Sequence, residues 1–372
     1  PPHRTALWPA LALDRKAAAA LETSSASAPA LGAALAAAAA REPSRTNLLQ
    51  ALQDKPPGAL VRLMGPVAGA ITVSYEANSG PQQRPGAAND TIRPEDADGA
   101  VWERAPEFEA DPPHGGVHAK VFVDRGDRRI IISFRGICVD DGFRQCQLDK
   151  CLLQSWGAFG LISPLMYRSS AQCSDFAAEM NYTAQADAIV RRVQDHFQSH
   201  SVLLVGHSLG GALAILTAAR QPGVLQAVAV APTAFHGVLR GELGMSEDSI
   251  SQLPSDDLVA VGDPYDCLIN AVFVHEARKG ATTCLYEGLD EPWPCSPEMK
   301  KDIAFDLMTF PAVSLCKVQT HDWPHYPSRI LARGGDGISA RNVPVCSTNN
   351  SVFQASFMQW VTHSKISADR WP

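Results

Sequence analysis

Short unbroken apolar runs alternate along this chain with longer segments whose apolar positions recur every three to four residues. Val202–Val205, Ala227–Val230 and Leu258–Val261 are too brief for helices and lack the alternation of a strand with one wet face, so they read as strands buried on both sides. Between them, Ile189, Val190, Val193 and Phe197 mark one face of a helix over Asn181–His200, and Leu209–Arg220 reads as another, closed by Pro222 and Gly223. Val117–Val123 and Arg129–Phe134 flank the turn-forming Asp124-Arg-Gly-Asp-Arg128 and read as a hairpin or as adjacent strands. This alternation of strand and helix predicts an α/β fold whose central sheet is predominantly parallel and covered by helices on both faces.

The first 57 residues break the pattern. They are Ala-rich, with a helix expected over Leu31–Arg41 but little amphipathicity, so they look peripheral. Ser79–Asp98 is rich in Pro, Gly, Gln, Asn and Asp and reads as a linker. The expected division is an N-terminal extension and linker over 1–98 and a catalytic domain over 99–372.

Charge and composition then narrow the function. The net charge is −7 and no basic stripe is visible, which removes nucleic acid as a partner. Ser201–Ala219 holds no Asp, Glu, Lys or Arg and would attract a membrane-span assignment, but Gly206, Ser208, Gly210 and Gly211 break it into a core strand, a turn and a core helix. The nine cysteines form no C-x-x-C pair, which points to disulfides with at least one thiol left over. Sequons at Asn89, Asn181 and Asn349 point the same way, so a secreted, vacuolar or endomembrane-lumenal site is favoured. The N-terminal segment, rich in Ala, Ser and Arg and poor in acids, keeps an organellar location open, and the start at Pro1 without Met is consistent with a removed targeting segment or a fragment.

The most specific chemical signal is Gly206-His207-Ser208-Leu209-Gly210, set between an apolar strand and a small-residue helix. A serine on a tight strand-to-helix turn needs glycines two residues before and after it, because a Cβ at either place would meet neighbouring backbone. Ser208 is therefore the candidate nucleophile. Such a serine needs a base, an acid that orients the base, and amide donors for the developing oxyanion. Leu209, next in sequence, supplies one such amide. Asp263 follows the strand Leu258–Val261, 55 residues after Ser208, at the strand end where an orienting acid belongs; Asp266 is its nearest substitute.

Gly206–Ala214 together with Ile131-Ile-Ser-Phe-Arg-Gly136 resembles the class 3 (fungal-type) lipases of the α/β-hydrolase superfamily, over roughly residues 115–366. The resemblance implies an α/β-hydrolase fold and places a second oxyanion amide at Ile137, where many members carry Thr or Ser. Asp263-Pro264 through Leu268 resembles the segment around the family's triad acid, with Ile269 in place of its final proline. Two histidines are open as the base. His363 follows Trp360 as in the ending of autophagic vacuolar lipases, after a Tyr326-Pro-Ser-Arg-Ile330 segment similar to that of diacylglycerol lipases; His321 fits the shorter spacing of compact members. His363 is preferred, and His207 is expected to shape the turn without acting as base. His321 with His325 forms a metal pair in principle, but no third ligand stands out.

What the resemblance implies is hydrolysis of lipid carboxylic esters, acylglycerols first and phospholipids or galactolipids next, with no metal or organic cofactor and with transient contact at a membrane or lipid-droplet surface. A catalytically impaired lipid-binding protein, suggested by Ile137, and an esterase or acyltransferase on small soluble esters are the rivals. Cys151–Tyr167 is uncharged and contains Trp156, Phe159, Leu161, Leu165 and Met166; it reads equally as an interfacial lid or as a buried loop and helix.

Overall fold

The computed structural model describes residues 47–53, 58–76, 91–92, 100–112, 115–137, 144–156, 173, 176, 179–254, 256–262, 280–285, 326, 331–334, 337–340 and 345–347. The helix expected at Leu31–Arg41 lies outside them.

The predicted hairpin forms. β3 (Ala119–Asp124) and β4 (Arg129–Phe134) pair antiparallel with Ala119 opposite Phe134 and Asp124 opposite Arg129. Its turn is organised by Asp124, whose carboxylate accepts the N–H groups of Gly126 at 3.0 Å and Asp127 at 3.3 Å. From β4 the sheet continues in parallel through β5 (Ser201–His207), β6 (Gln226–Val230), β7 (Leu258–Gly262) and β8 (Thr282–Leu285). Antiparallel strands flank this core: β1 (Thr91–Ile92) and β2 (Trp102–Arg104) beyond β3, and β11 (Val345–Ser347) beyond β8. β9 (Leu331–Gly334) and β10 (Gly337–Ala340) make a separate hairpin. The expectation of a largely parallel sheet thus holds for its centre, where the apolar runs lie.

Alternate residues of these strands enter two different cores. Ile130, Ile132, Phe134, Leu204, Ala227 and Ala229 pack with α3 (Arg144–Ser155), α4 (Tyr182–His196) and α5 (Leu209–Ala219). Ile131, Val205, Val228, Val230, Val259 and Val261 pack on the opposite face. A strand with an apolar layer on each side has no polar face, which is why the runs are continuous. The charge-free stretch from Ser201 resolves into β5 and α5, and all eleven residues of α5 are buried. Among the described residues no helix is long and apolar enough to cross a membrane.

The helices covering the second face are α1 (Leu48–Gln53) and α2 (Gly58–Glu76). Within the expected N-terminal extension, whose first 57 residues read as peripheral, 48–53 and 58–76 are core elements: Leu48, Leu52, Leu60, Met64, Val67 and Ile71 are completely buried in the core that holds Ile131 and Val205. α2 has apolar residues almost all round, so it shows no stripe that sequence inspection would connect to a sheet.

α4 stops at His196, one turn short of the expected His200. Asn181 caps its start by accepting the Ala184 N–H at 3.3 Å. At its end Phe197 turns inward against Phe108, with ring centroids 5.2 Å apart. Disulfides join Cys151 to Cys173 and, across β8 and β11, Cys284 to Cys346; Cys146 is also disulfide-bonded. Closing loops of 22 and 62 residues stabilises by about 3 and about 4 kcal/mol respectively in the chain-entropy account.

If the N-terminal helix is part of the core, Ile71→Ala should lower the unfolding free energy by about 2–5 kcal/mol, as read from urea titration. A surface helix would lose far less. A second measurement concerns pH. Burial, reinforced by Arg128 and Arg125, holds the His200 imidazole below its ordinary 6.5. A depressed pKa means the folded state resists protonation, so this stabilisation is complete above 6.5 and is lost as pH falls through the folded value. The urea midpoint of the wild type should fall more steeply than that of His200→Gln between about pH 7 and about pH 5.

Candidate active site

β5 ends at His207 and α5 begins at Leu209, leaving Ser208 to make the turn alone at φ 56° and ψ −123°. Such a backbone costs a residue with a Cβ on the order of 1–3 kcal/mol and persists only where its surroundings over-determine it. They do so here. The Ser208 N–H donates to the Val230 carbonyl at 3.0 Å, and its own carbonyl accepts from Ala212 at 3.1 Å and Thr233 at 3.2 Å. The Ser208 hydroxyl does not cap the helix it precedes.

The flanking glycines are required by contact. A Cβ on Gly206 would overlap the Gly210 carbonyl and lie 2.7 Å from the Gly211 nitrogen; one on Gly210 would overlap the Phe134 carbonyl and lie 2.7 Å from that of Arg135. The first turn of α5 therefore sits directly on the ends of β4 and β5. Its first N–H groups, Leu209 among them, have no intrahelical acceptor and put the positive end of the helix at the serine.

Parallel pairing sets Phe134 beside Gly206, so Arg135, Gly136 and Ile137 leave the sheet alongside His207 and Ser208. At Gly136 a Cβ would overlap the Tyr75 hydroxyl and come within 2.9 Å of the His207 carbonyl. Ile137 is half-buried and packs on the core that holds α5. His207 itself is buried: its Nδ1 is hydrogen-bonded to the Tyr75 hydroxyl at 2.7 Å, and its ring lies between those of Tyr75 and Tyr326, at centroid distances of 5.8 and 5.6 Å. These contacts fit a turn-shaping role for His207.

Behind the loop, Arg135 and Asp149 form a buried ion pair at 3.5 Å. Asp149 also accepts from the Tyr182 hydroxyl and from Gln145 Nε2, each at 2.7 Å. Burial, with the Asp149 charge beside it, pushes the Tyr182 hydroxyl pKa up, so it stays a donor. Tyr75, Asp149 and Tyr182 carry no motif and stand far from Ser208 in sequence, and nothing in the residue pattern marks them.

A His–Asp pair also occurs at His118 and Asp111, with Nδ1 and Oδ1 2.6 Å apart. The hydrogen bond from His118 holds the Asp111 carboxyl below its usual range. His118 just precedes β3, which lies two strands from β5 in the sheet.

Of the residues expected to act, the structure brings together Ser208, Leu209 and the Gly136-Ile137 segment. Asp263, Asp266, His321, His325 and His363 lie outside the described residues, although β7 ends at Gly262, immediately before Asp263, on the same edge of the parallel strands as Ser208. Of the segment weighed as a lid, Cys151–Trp156 is the end of α3 and the turn after it. Trp156 is buried there and its indole N–H donates to Glu242 at 2.9 Å; residues 157–167 lie outside the described residues. Among the described residues no group of three or more His, Cys, Asp or Glu could hold a metal ion.

A doubly covered parallel sheet with a strained serine at a strand-to-helix turn defines a nucleophile-elbow protein. Residues 157–359, more than half of the chain, match the family model described as "Alpha/beta hydrolase family", and the chain belongs to that family. Among solved structures, it is similar to the Lip2 lipase of Yarrowia lipolytica at 17% identity, over 63% of this chain and 80% of that one, with a TM-score of 0.37. A mutant MDLA from Penicillium cyclopium aligns at 14% identity over 71% and 93% of the two chains, with a TM-score of 0.37. No curated protein matches the sequence.

From these contacts, Gly210→Ala, a one-methyl change, should force α5 away from β4. It should destabilise the fold by about 1–3 kcal/mol and abolish labelling of Ser208 by a fluorophosphonate, as read by intact-mass analysis of the folded fraction.

Proposed function

We propose that this protein hydrolyses carboxylic esters of lipids through an acyl-enzyme on Ser208. The observation that carries the reading is the backbone of Ser208, held at φ 56° between β5 and the N-terminus of α5. Strain stored at one buried serine has a ready explanation if its hydroxyl must meet a substrate carbonyl.

In this reading Ser208 Oγ attacks the ester carbon while His363 takes its proton. The tetrahedral oxyanion is held by the amides of Leu209 and Ile137. The C–O bond to the alcohol then breaks, and the alcohol leaves with the proton from His363. Water, deprotonated by the same histidine, attacks the acyl-enzyme and releases the carboxylic acid and Ser208. Asp263 orients His363 and stabilises its cation. No metal or organic cofactor enters any step.

Acylglycerols are the favoured substrates, met at a membrane or droplet surface; the lipase likeness of the sequence motifs supports this choice. The disulfides at Cys151–Cys173 and Cys284–Cys346 support residence in an oxidising compartment, the secretory lumen or outside the cell.

Hydrolysis of emulsified diacylglycerol and triacylglycerol tests the proposal. Ser208→Ala and His363→Ala should each lose about 10⁴-fold or more in kcat, with His321→Ala close to wild type. Loss with His321→Ala in place of His363→Ala would move the base to His321. Activity on a soluble short-chain ester but none on an emulsion would make the protein an esterase. A folded wild type as inert as Ser208→Ala would sink the hydrolase and favour lipid binding.

A further inference from the structure

The Arg135–Asp149 pair lies outside the triad and the amides, yet it is buried directly behind the loop that carries Ile137. The Asp149 carboxylate is 1% exposed, on a helix whose end is tied by the Cys151–Cys173 disulfide. Its Oδ1 accepts from Tyr182 on α4 and from Gln145 on α3, and its Oδ2 faces the Arg135 guanidinium. Gln145 Nε2 also donates to the Gly116 carbonyl, at 3.1 Å. Arg135 is held at its other end too, its N–H donating to the His118 carbonyl at 3.1 Å. Its Nε is buried with no hydrogen-bond partner among the described residues, so the ion pair with Asp149 is the guanidinium's compensation.

We infer that Asp149 is a positioning residue for the oxyanion hole: through Arg135 it fixes where the Gly136–Ile137 peptide presents its N–H. The inference rests on the hydrolase reading above. The geometry makes the need for such a device specific to this chain. Ile137 carries no hydroxyl, so it offers the hole one amide and no side-chain donor of its own to compensate for misplacement. Hydrogen-bond strength falls steeply with distance and angle, so a small shift of this loop is felt in the transition state more than in the bound ester. Gly136 has no side chain with which to anchor itself, and the space a Cβ would need is filled by Tyr75 and the His207 carbonyl. Arg135 is then the last side chain before Ile137 that can tether the loop to a helix.

A matched pair of soluble substrates separates positioning from general damage: a short-chain p-nitrophenyl ester and its thiono analogue, in which the oxyanion is replaced by a sulfur that accepts hydrogen bonds poorly. The full chain is assayed as wild type, Asp149→Asn and Tyr182→Phe, with fluorophosphonate labelling of Ser208 alongside. Removing an oxyanion donor outright costs about 10²–10³, so Asp149→Asn should lower kcat on the oxygen ester by about 10–100-fold with KM within about twofold. The thiono ester should fall much less, narrowing the oxygen-to-sulfur rate ratio by about fivefold or more. Tyr182→Phe keeps the ion pair and removes one donor to Asp149, so it should narrow the ratio in the same direction by about twofold. If Asp149→Asn does not fold, Tyr182→Phe alone decides. Equal losses on both esters, or an unchanged ratio in the folded variants, would overturn the positioning role while leaving the hydrolase intact. A folded wild type that neither labels nor cleaves either ester would overturn the hydrolase, and this inference with it.

Discussion

The absence of atoms at Gly206 and Gly210 is the constraint on which the rest of the site is built. α5 can begin on top of the sheet only because its first turn touches the carbonyls of Phe134 and Arg135 with no side chain between. That contact places a helix N-terminus at Ser208, forces the serine into its positive-φ turn, and locks the end of β4 beside it. One methyl group at either glycine would separate the helix from the strands, and the Gly136–Ile137 segment from Ser208. Steric exclusion here does what a hydrogen bond could not: it sets a distance of closest approach that two backbones share.

A sheet with five parallel strands at its centre has no face to give to water, so it needs two apolar covers. α3, α4 and α5 supply one. α1 and α2 supply the other, and Tyr75 near the end of α2 reaches His207 and Gly136. The second cover thus contributes to the edge that carries Ser208 as well as to stability. An N-terminal segment that looks like an extension is, over residues 48–53 and 58–76, part of the core beneath the elbow.

Buried charge is used at the site in a consistent way. Arg135, Asp149 and Tyr182 are withdrawn from water, and the Asp149 carboxylate is matched to Arg135, Tyr182 and Gln145, a combination that adds little net stability but resists displacement. Rigidity behind the loop complements strain at the serine. Both keep groups where a transition state would need them, without reorganisation during the reaction.

The elements closest to Ser208 were legible because their cause is local. Unbroken apolar runs mark strands buried on both sides, Asn181 caps α4, and glycines two residues either side of a serine mark a turn that only glycine permits. The roles of α2, Tyr75, Asp149 and Tyr182 were not legible. α2 is apolar nearly all round and so points to no particular partner, and a tyrosine or aspartate far along the chain looks like any other until its neighbours are known. By itself the sequence determined the order of the central strands and helices and the glycine-flanked turn at Ser208, since these follow from backbone sterics and periodicity within a few residues. Only the tertiary structure decided which helices cover which face, and which buried side chains hold His207 and Arg135. Those pairings are made across more than a hundred residues in the case of Tyr75, by packing and desolvation that no local pattern records.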